Sequence, residues 1–282
     1  MSKIIAAMLI SIALVAGLVG WLIVGDGVSP RTVSSAAKTP GGGASDSPKS
    51  EEDLRIYCAA SNLAVMDRIR QDYEQSTGTT ISVQYGPSQS LLAQLQLTQT
   101  GDLYLPADDS YLVLAEDAGL LSLRLPIATM QVGLAVKRGN PKRIADFPAL
   151  LTNEIRVVQA NPDAAAVGML TRACLLPSGK WSRLADATTA FRGTVAEVAN
   201  DVHVGAADVG IVYDAVLHSY PDLEFVAIEA LRPAKAQVAI GILKSSRAPD
   251  QALDFARYLT APDRGLKVYA EHGFYVAEQV LK

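Results

Sequence analysis

Two serines stand where a β-like run gives way to a helical one: Ser61 closes the run 55–61, and Ser88 closes the run 81–88. The first turn of a helix carries amides without intrahelical partners and the positive end of the helix dipole. Two such starts that converge make a site for an anion, and a hydroxyl at each adds a neutral donor. Serine is also a preferred N-cap, so capping alone accounts for either position taken singly. A third junction, Asn-Pro-Asp-Ala-Ala-Ala-Val-Gly over 161–168, puts small side chains at another helix start, where backbone amides can approach a ligand closely. The chemistry these residues suggest is capture of an anion by neutral dipoles, with no covalent step.

Other chemistry-bearing residues point less clearly. Asp108 and Asp109 are neighbours on a strand-to-helix turn, which suits a turn residue and a cap better than an acid–base pair. His203, His218 and His272 share no ligand spacing and read as surface or helix-end residues. Cys58 and Cys174 lie far apart, with neither a CxxC nor a nearby histidine, so two separate thiols and no zinc site are expected. The enzyme alternative is a serine hydrolase using Ser88. Residues 86–90, Gly-Pro-Ser-Gln-Ser, approximate the G-x-S-x-G turn, and Asp214 and His272 follow in the hydrolase order. Ser90 replaces the last glycine, and a single strand precedes that turn's own strand where a hydrolase sheet needs several. The expectation is therefore a protein that is not an enzyme and carries no cofactor.

The elements that must position these residues alternate. Leu63, Met66, Ile69 and Tyr73 follow helical spacing, with Gly78 as the stop. A buried strand at 103–105 precedes a helix capped at Asp109 or Ser110 and running to Leu120. Strands at 132–136, 155–158, 209–212, 225–228 and 238–243 alternate with helices at 167–176, 195–199 and 251–259. Pro249 and Pro262 open the last two helices. The pattern predicts an α/β fold with mostly parallel strands, divided into two small lobes: 53–130 plus 215–282, and 131–214.

With 282 residues, 49% of them hydrophobic, the chain can bury a substantial core. Its net charge of −4 offers no basic field for nucleic acid. Residues 4–24 form an uncharged apolar run long enough to span a bilayer, without the A-x-A-like site that follows a cleaved signal. Residues 1–25 are thus expected to be a transmembrane helix anchoring the chain, with export after signal cleavage as the alternative. The Gly-, Ser- and Pro-rich stretch 26–52 reads as a flexible stalk.

Seven segments in order give the chain a family resemblance: YCAASNL, VQYGPSQSLLAQL, GDLYLPADDSYLVLAEDAGLL, AVKRGNP, ANPDAAAVG, VAEVANDVHVGAADVGIVYDA and FARYLTAPDRGLKVYAEHGF. Together they resemble the molybdate-binding proteins of ABC importers, over nearly all of the folded part. The resemblance implies a two-lobed clamshell of the type II periplasmic-binding fold, with an oxyanion held between the lobes. It assigns that oxyanion to the hydroxyls of Ser61, Ser88 and Tyr213 and to backbone amides at Val167 and Val195. None of the five is charged, and no carboxylate is present to accept the proton of a protonated phosphate. Molybdate or tungstate is expected first and sulfate after them, the serines being ligands of a metal oxyanion rather than of a bare ion. The implied partners are an ABC permease and, through the anchor, the membrane. The implied location is extracytoplasmic and the implied state a monomer. A membrane-tethered oxyanion sensor is the alternative within the same fold.

Overall fold

A computed structural model of the protein describes residues 53–276. The anchor expected at 1–25 and the stalk expected at 26–52 lie outside the described residues, and within those residues no helix is long and apolar enough to cross a membrane. The strands are β1 Leu54–Ala59, β2 Ile81–Gly86, β3 Leu103–Leu105, β4 Leu121–Lys137, β5 Val157–Ala160, β6 Thr188–Arg192, β7 Val209–Tyr213, β8 Leu223–Val226 and β9 Lys235–Leu243. The helices are α1 Leu63–Thr77, α2 Ser88–Thr98, α3 Ser110–Asp117, α4 Ala166–Leu175, α5 Lys180–Ala187, α6 Val195–His203, α7 Pro249–Leu259 and α8 Gly265–Glu271.

The strand order is β2-β1-β3-β9-β4-β7-β5-β6, with β8 also on β4. The α/β class agrees with the sequence, but the sheet is mixed rather than mostly parallel. β1 pairs in parallel with β2 and β3, and β5 with β6 and β7. The pairings β3–β9, β4–β9, β4–β7 and β4–β8 are antiparallel. β4 and β9 carry the chain between the two parallel groups and back, so β9 runs against the first group and β4 against the second.

β4 is far longer than the strand expected at 132–136. Over Leu121 to Gln131 it pairs with β9; from Val132 it pairs with β7 and β8. Register shifts at Leu121/Leu123 and at Pro126/Ala128 interrupt its first part, where Pro126 has no amide to give the ladder. At the handover, the Gln131 side-chain amide donates to the carbonyls of Val132, Leu231, Arg232 and Ala234, at 2.9 to 3.3 Å. β8 pairs with the far end of β4, Leu134 to Lys137.

Apolar faces at helical spacing seat the helices. Val65, Met66, Ile69 and Tyr73 are the buried side of α1, and the Tyr73 ring meets Phe255 and Tyr258 edge-on, each at 5.0 Å between centroids. Gly78 ends α1 in the left-handed conformation, φ 76°, its amide bonded to the Glu74 carbonyl at 2.9 Å. Cys58 is buried, Cys174 is half-buried, and both are free thiols.

Candidate functional site

The carboxyl ends of six strands open on one cavity. β1, β2 and β3 deliver Ser61, Ser88 and Ala107; β5, β6 and β7 deliver Val167, Val195 and Tyr213. Ligands of open α/β sheets collect at such ends, because each strand there feeds a helix start. The cavity is small, about 20 Å³.

Both serines do something other than cap. Ser88 is the first residue of α2, after an extended Pro87, and is 2% exposed. Its Oγ accepts the Ala107 amide at 3.1 Å, and its carbonyl accepts the Tyr104 hydroxyl at 2.8 Å. Ser61 lies in the 3-10 turn Ala60–Asn62 between β1 and α1; its Oγ accepts Asn62 Nδ2 at 3.3 Å. The Tyr269 hydroxyl holds the other end of that amide, Asn62 Oδ1, at 3.3 Å. Each serine oxygen is thus engaged by an N–H, and neither hydroxyl donates to a partner among the described residues. Both are set as donors.

Two more helix starts supply amides. α4 begins after an extended Ala165, and the amides of residues 166–168 are those a helix leaves without partners. Gly168 permits this placement: a Cβ there would fall on the Ala160 carbonyl oxygen, so only glycine lets α4 sit directly on the end of β5. α6 begins with a capping box. Thr194 Oγ1 accepts the Glu197 amide at 3.2 Å, while the Glu197 carboxylate accepts the amides of Thr194 at 3.2 Å and Gly193 at 2.8 Å. This leaves Val195 at the open first turn, its side chain buried.

Tyr213 ends β7 and is 1% exposed, and its hydroxyl has no hydrogen-bond partner among the described residues. Burial, with smaller contributions from Asp108 and Tyr111, pushes its pKa well above the usual phenol value. The group remains a neutral donor. Among the described residues no charged side chain lines the cavity. Asp108 is nearby but occupied: Oδ1 accepts the amide and hydroxyl of Ser110 at 3.1 and 2.5 Å, and Oδ2 accepts the Gln237 amide at 3.0 Å. The start of α3, where Asp109 or Ser110 was expected as the cap, is therefore held by Asp108.

The five residues expected at the site, Ser61, Ser88, Val167, Val195 and Tyr213, are all brought to this cavity. Sequence reasoning missed Ala107 and Thr194. The T-x-x-E pattern at 194–197 is a capping-box signal that marks the α6 start; Ala107 contributes only backbone and left no signal. The hydrolase constellation is not assembled. No imidazole bonds Ser88, and His272 Nδ1 is tied to the Val268 carbonyl at 2.7 Å. His218 and His272, without shared spacing in sequence, come within 5.1 Å between ring centroids in a separate cavity of about 140 Å³ beside Ser61. His203 meets Asp222 at 2.7 Å, and Lys137, at 2.6 Å, does most to hold that carboxyl down at about 2. Among the described residues no group of three or more His, Cys, Asp or Glu is placed to hold a metal ion. A larger cavity of about 520 Å³ lies by the amino ends of β1 and β3 and contains none of the five.

Residues 54–275 match a family model described as bacterial extracellular solute-binding protein. The molybdate-binding protein ModA of Mycobacterium tuberculosis (strain ATCC 25618 / H37Rv) is 27% identical over 275 residues, covering 94% of this chain and 95% of that protein. Among solved structures, the periplasmic molybdate-binding protein of Azotobacter vinelandii aligns with a TM-score of 0.68 at 18% identity, over 80% of this chain and 100% of that one. The sulfate-binding protein SubI from Mycobacterium tuberculosis H37Rv aligns with a TM-score of 0.66 at 18% identity, over 81% and 88%. At these identities the structural likeness shows a common mixed α/β fold.

Proposed function

The chain belongs to the family of bacterial extracellular solute-binding proteins, and from that premise we propose that it captures a tetrahedral oxyanion, molybdate or tungstate before sulfate, for delivery to an ABC permease. The observation that carries this reading is the convergence of Ser61, Ser88 and Tyr213 with the helix starts at Val167 and Val195 on one uncharged cavity. Oriented dipoles fixed by the fold can hold a dianion there without a counter-charge. The two serine oxygens already accept N–H groups, so the site favours an anion that needs donors only. A protonated phosphate needs an acceptor as well.

The two parallel strand groups act as the lobes, 53–130 with the C-terminal segment and 131–214 extended by β8, with β4 and β9 as the hinge. Anion touching both lobes shifts the population toward the closed form. The binding unit works outside the cell membrane as a monomer, held there by the segment at 1–25 and the stalk at 26–52. The relative named for molybdate and the fold neighbour named for sulfate support including both anions in the test. Titration calorimetry with molybdate, tungstate, sulfate and phosphate should give tight one-to-one binding of molybdate or tungstate and none of phosphate. Absence of heat with all four would overturn the proposal.

A further inference from the structure

A backbone hydrogen bond crosses the cleft beside the cavity: the Gln89 amide donates to the Ala164 carbonyl at 3.2 Å. Gln89 follows Ser88 in the first turn of α2, so its amide is one that the helix itself leaves unpartnered. Ala164 lies three residues before Val167, in a turn fixed by its own bonds. The Asn161 carbonyl accepts the amides of Ala164 and Ala165, Asn161 Oδ1 accepts the Asp163 amide, and the Asn161 amide donates to the Arg192 carbonyl. On the other side, Ser88 is held by Ala107 and Tyr104. The crossing bond therefore joins two locally rigid pieces, one carrying the Ser88 hydroxyl and the other the Val167 amide.

We infer that the Gln89–Ala164 bond is a gauge that fixes the spacing between these two anion donors, making Gln89 a positioning residue for anion affinity and for discrimination by anion size. The inference rests on the proposed oxyanion site. Tetrahedral oxyanions share one geometry and differ in bond length. A cleft whose gap followed the ligand would close to fit each of them, whereas a gap set by a protein–protein bond suits one size. Gln89 acts through its amide, so its side chain is dispensable and Gln89→Ala retains the function.

The test replaces Gln89 by its α-hydroxy acid, which exchanges the amide N–H for an ester oxygen, and compares that protein and Gln89→Ala with the wild type in calorimetric titrations of molybdate and sulfate. Gln89→Ala should match the wild type. The ester should bind the preferred anion roughly two- to tenfold more weakly, the worth of one neutral hydrogen bond, and its molybdate-to-sulfate affinity ratio should move toward one. The unliganded thermal midpoint of each protein, with Gln89→Pro as a second donor-free variant, separates loss of the gauge from loss of fold. Unchanged affinity and ratio in a folded ester protein would overturn the inference, as would an equal loss for both anions. A wild-type protein that binds neither anion would instead overturn the proposed function.

Discussion

Replacing Tyr213 by Phe should move stability and binding in opposite directions. The hydroxyl is buried and has no partner among the described residues. A buried polar group left unpaired costs on the order of 1–3 kcal/mol, and deleting it leaves a gap of only one oxygen atom. The unliganded variant should therefore equal or exceed the wild type in stability, by about 1 kcal/mol, or 2–4 °C in midpoint for a folded part of this size. In the proposed complex the same hydroxyl would donate to a charged oxygen, a bond worth about 1.5–3 kcal/mol. Affinity should fall roughly 10- to 150-fold. Thermal unfolding without ligand and calorimetry with molybdate, on the same preparation, read both effects. A variant that loses more than about 1 kcal/mol of unliganded stability, or one that keeps wild-type affinity, would refute the assignment of this hydroxyl to the anion.

The two serines should separate on stability while both weaken binding. Ser88→Ala strands the buried Ala107 amide, at about 1–3 kcal/mol, whereas Ser61→Ala removes only a 3.3 Å contact from Asn62, which Tyr269 still holds; thermal melts should show a clear drop for the first and less than about 1 kcal/mol for the second. Alkali should unfold the protein steeply. Burial raises the phenols of Tyr104, Tyr213 and Tyr269 well above their usual value, so above pH about 10 the unfolded chain releases protons that the native chain retains. Stability is then lost as pH rises, by about 1.4 kcal/mol per pH unit for each tyrosine, and denaturant titrations between pH 9 and 11 that show a flat midpoint would contradict this.

Much of the fold was legible because burial imposes a period. α1 and α7 carry apolar residues at helical spacing with Gly78 closing the one and Pro249 opening the other, and β7 is a continuous apolar run, so the sequence places each within a few residues. α5 and β6 escaped because their burial is slight. α5 buries Leu184 alone, and β6 is an edge strand with no fully buried residue. The first part of β4 carries no clear strand signal because Pro126 and two register shifts break its alternation, which pairing with β9 overrides. Pro262 precedes α8 but does not begin it; the helix starts at Gly265, where a Cβ would strike the Leu259 carbonyl. At the site, side-chain chemistry was visible and backbone chemistry was not. Ser61, Ser88 and Tyr213 announce hydroxyls at strand ends. The Ala107 amide that orients Ser88, and the amide of Gln89, are indistinguishable in sequence from any other peptide group.

Neither parallel strand group owns a complete sheet. β4 pairs with β9 on one side of Gln131 and with β7 and β8 beyond it, so the strand that edges one group edges the other as well. Peeling one group away would strip hydrogen bonds from a strand the other still needs, and would disturb the contacts that the Gln131 side-chain amide makes at the handover. Two halves that share this ribbon stand or melt together. Heat should meet one cooperative transition rather than two, and an anion bound between the halves should raise that single midpoint, protecting residues far from the cavity as fully as those that touch it.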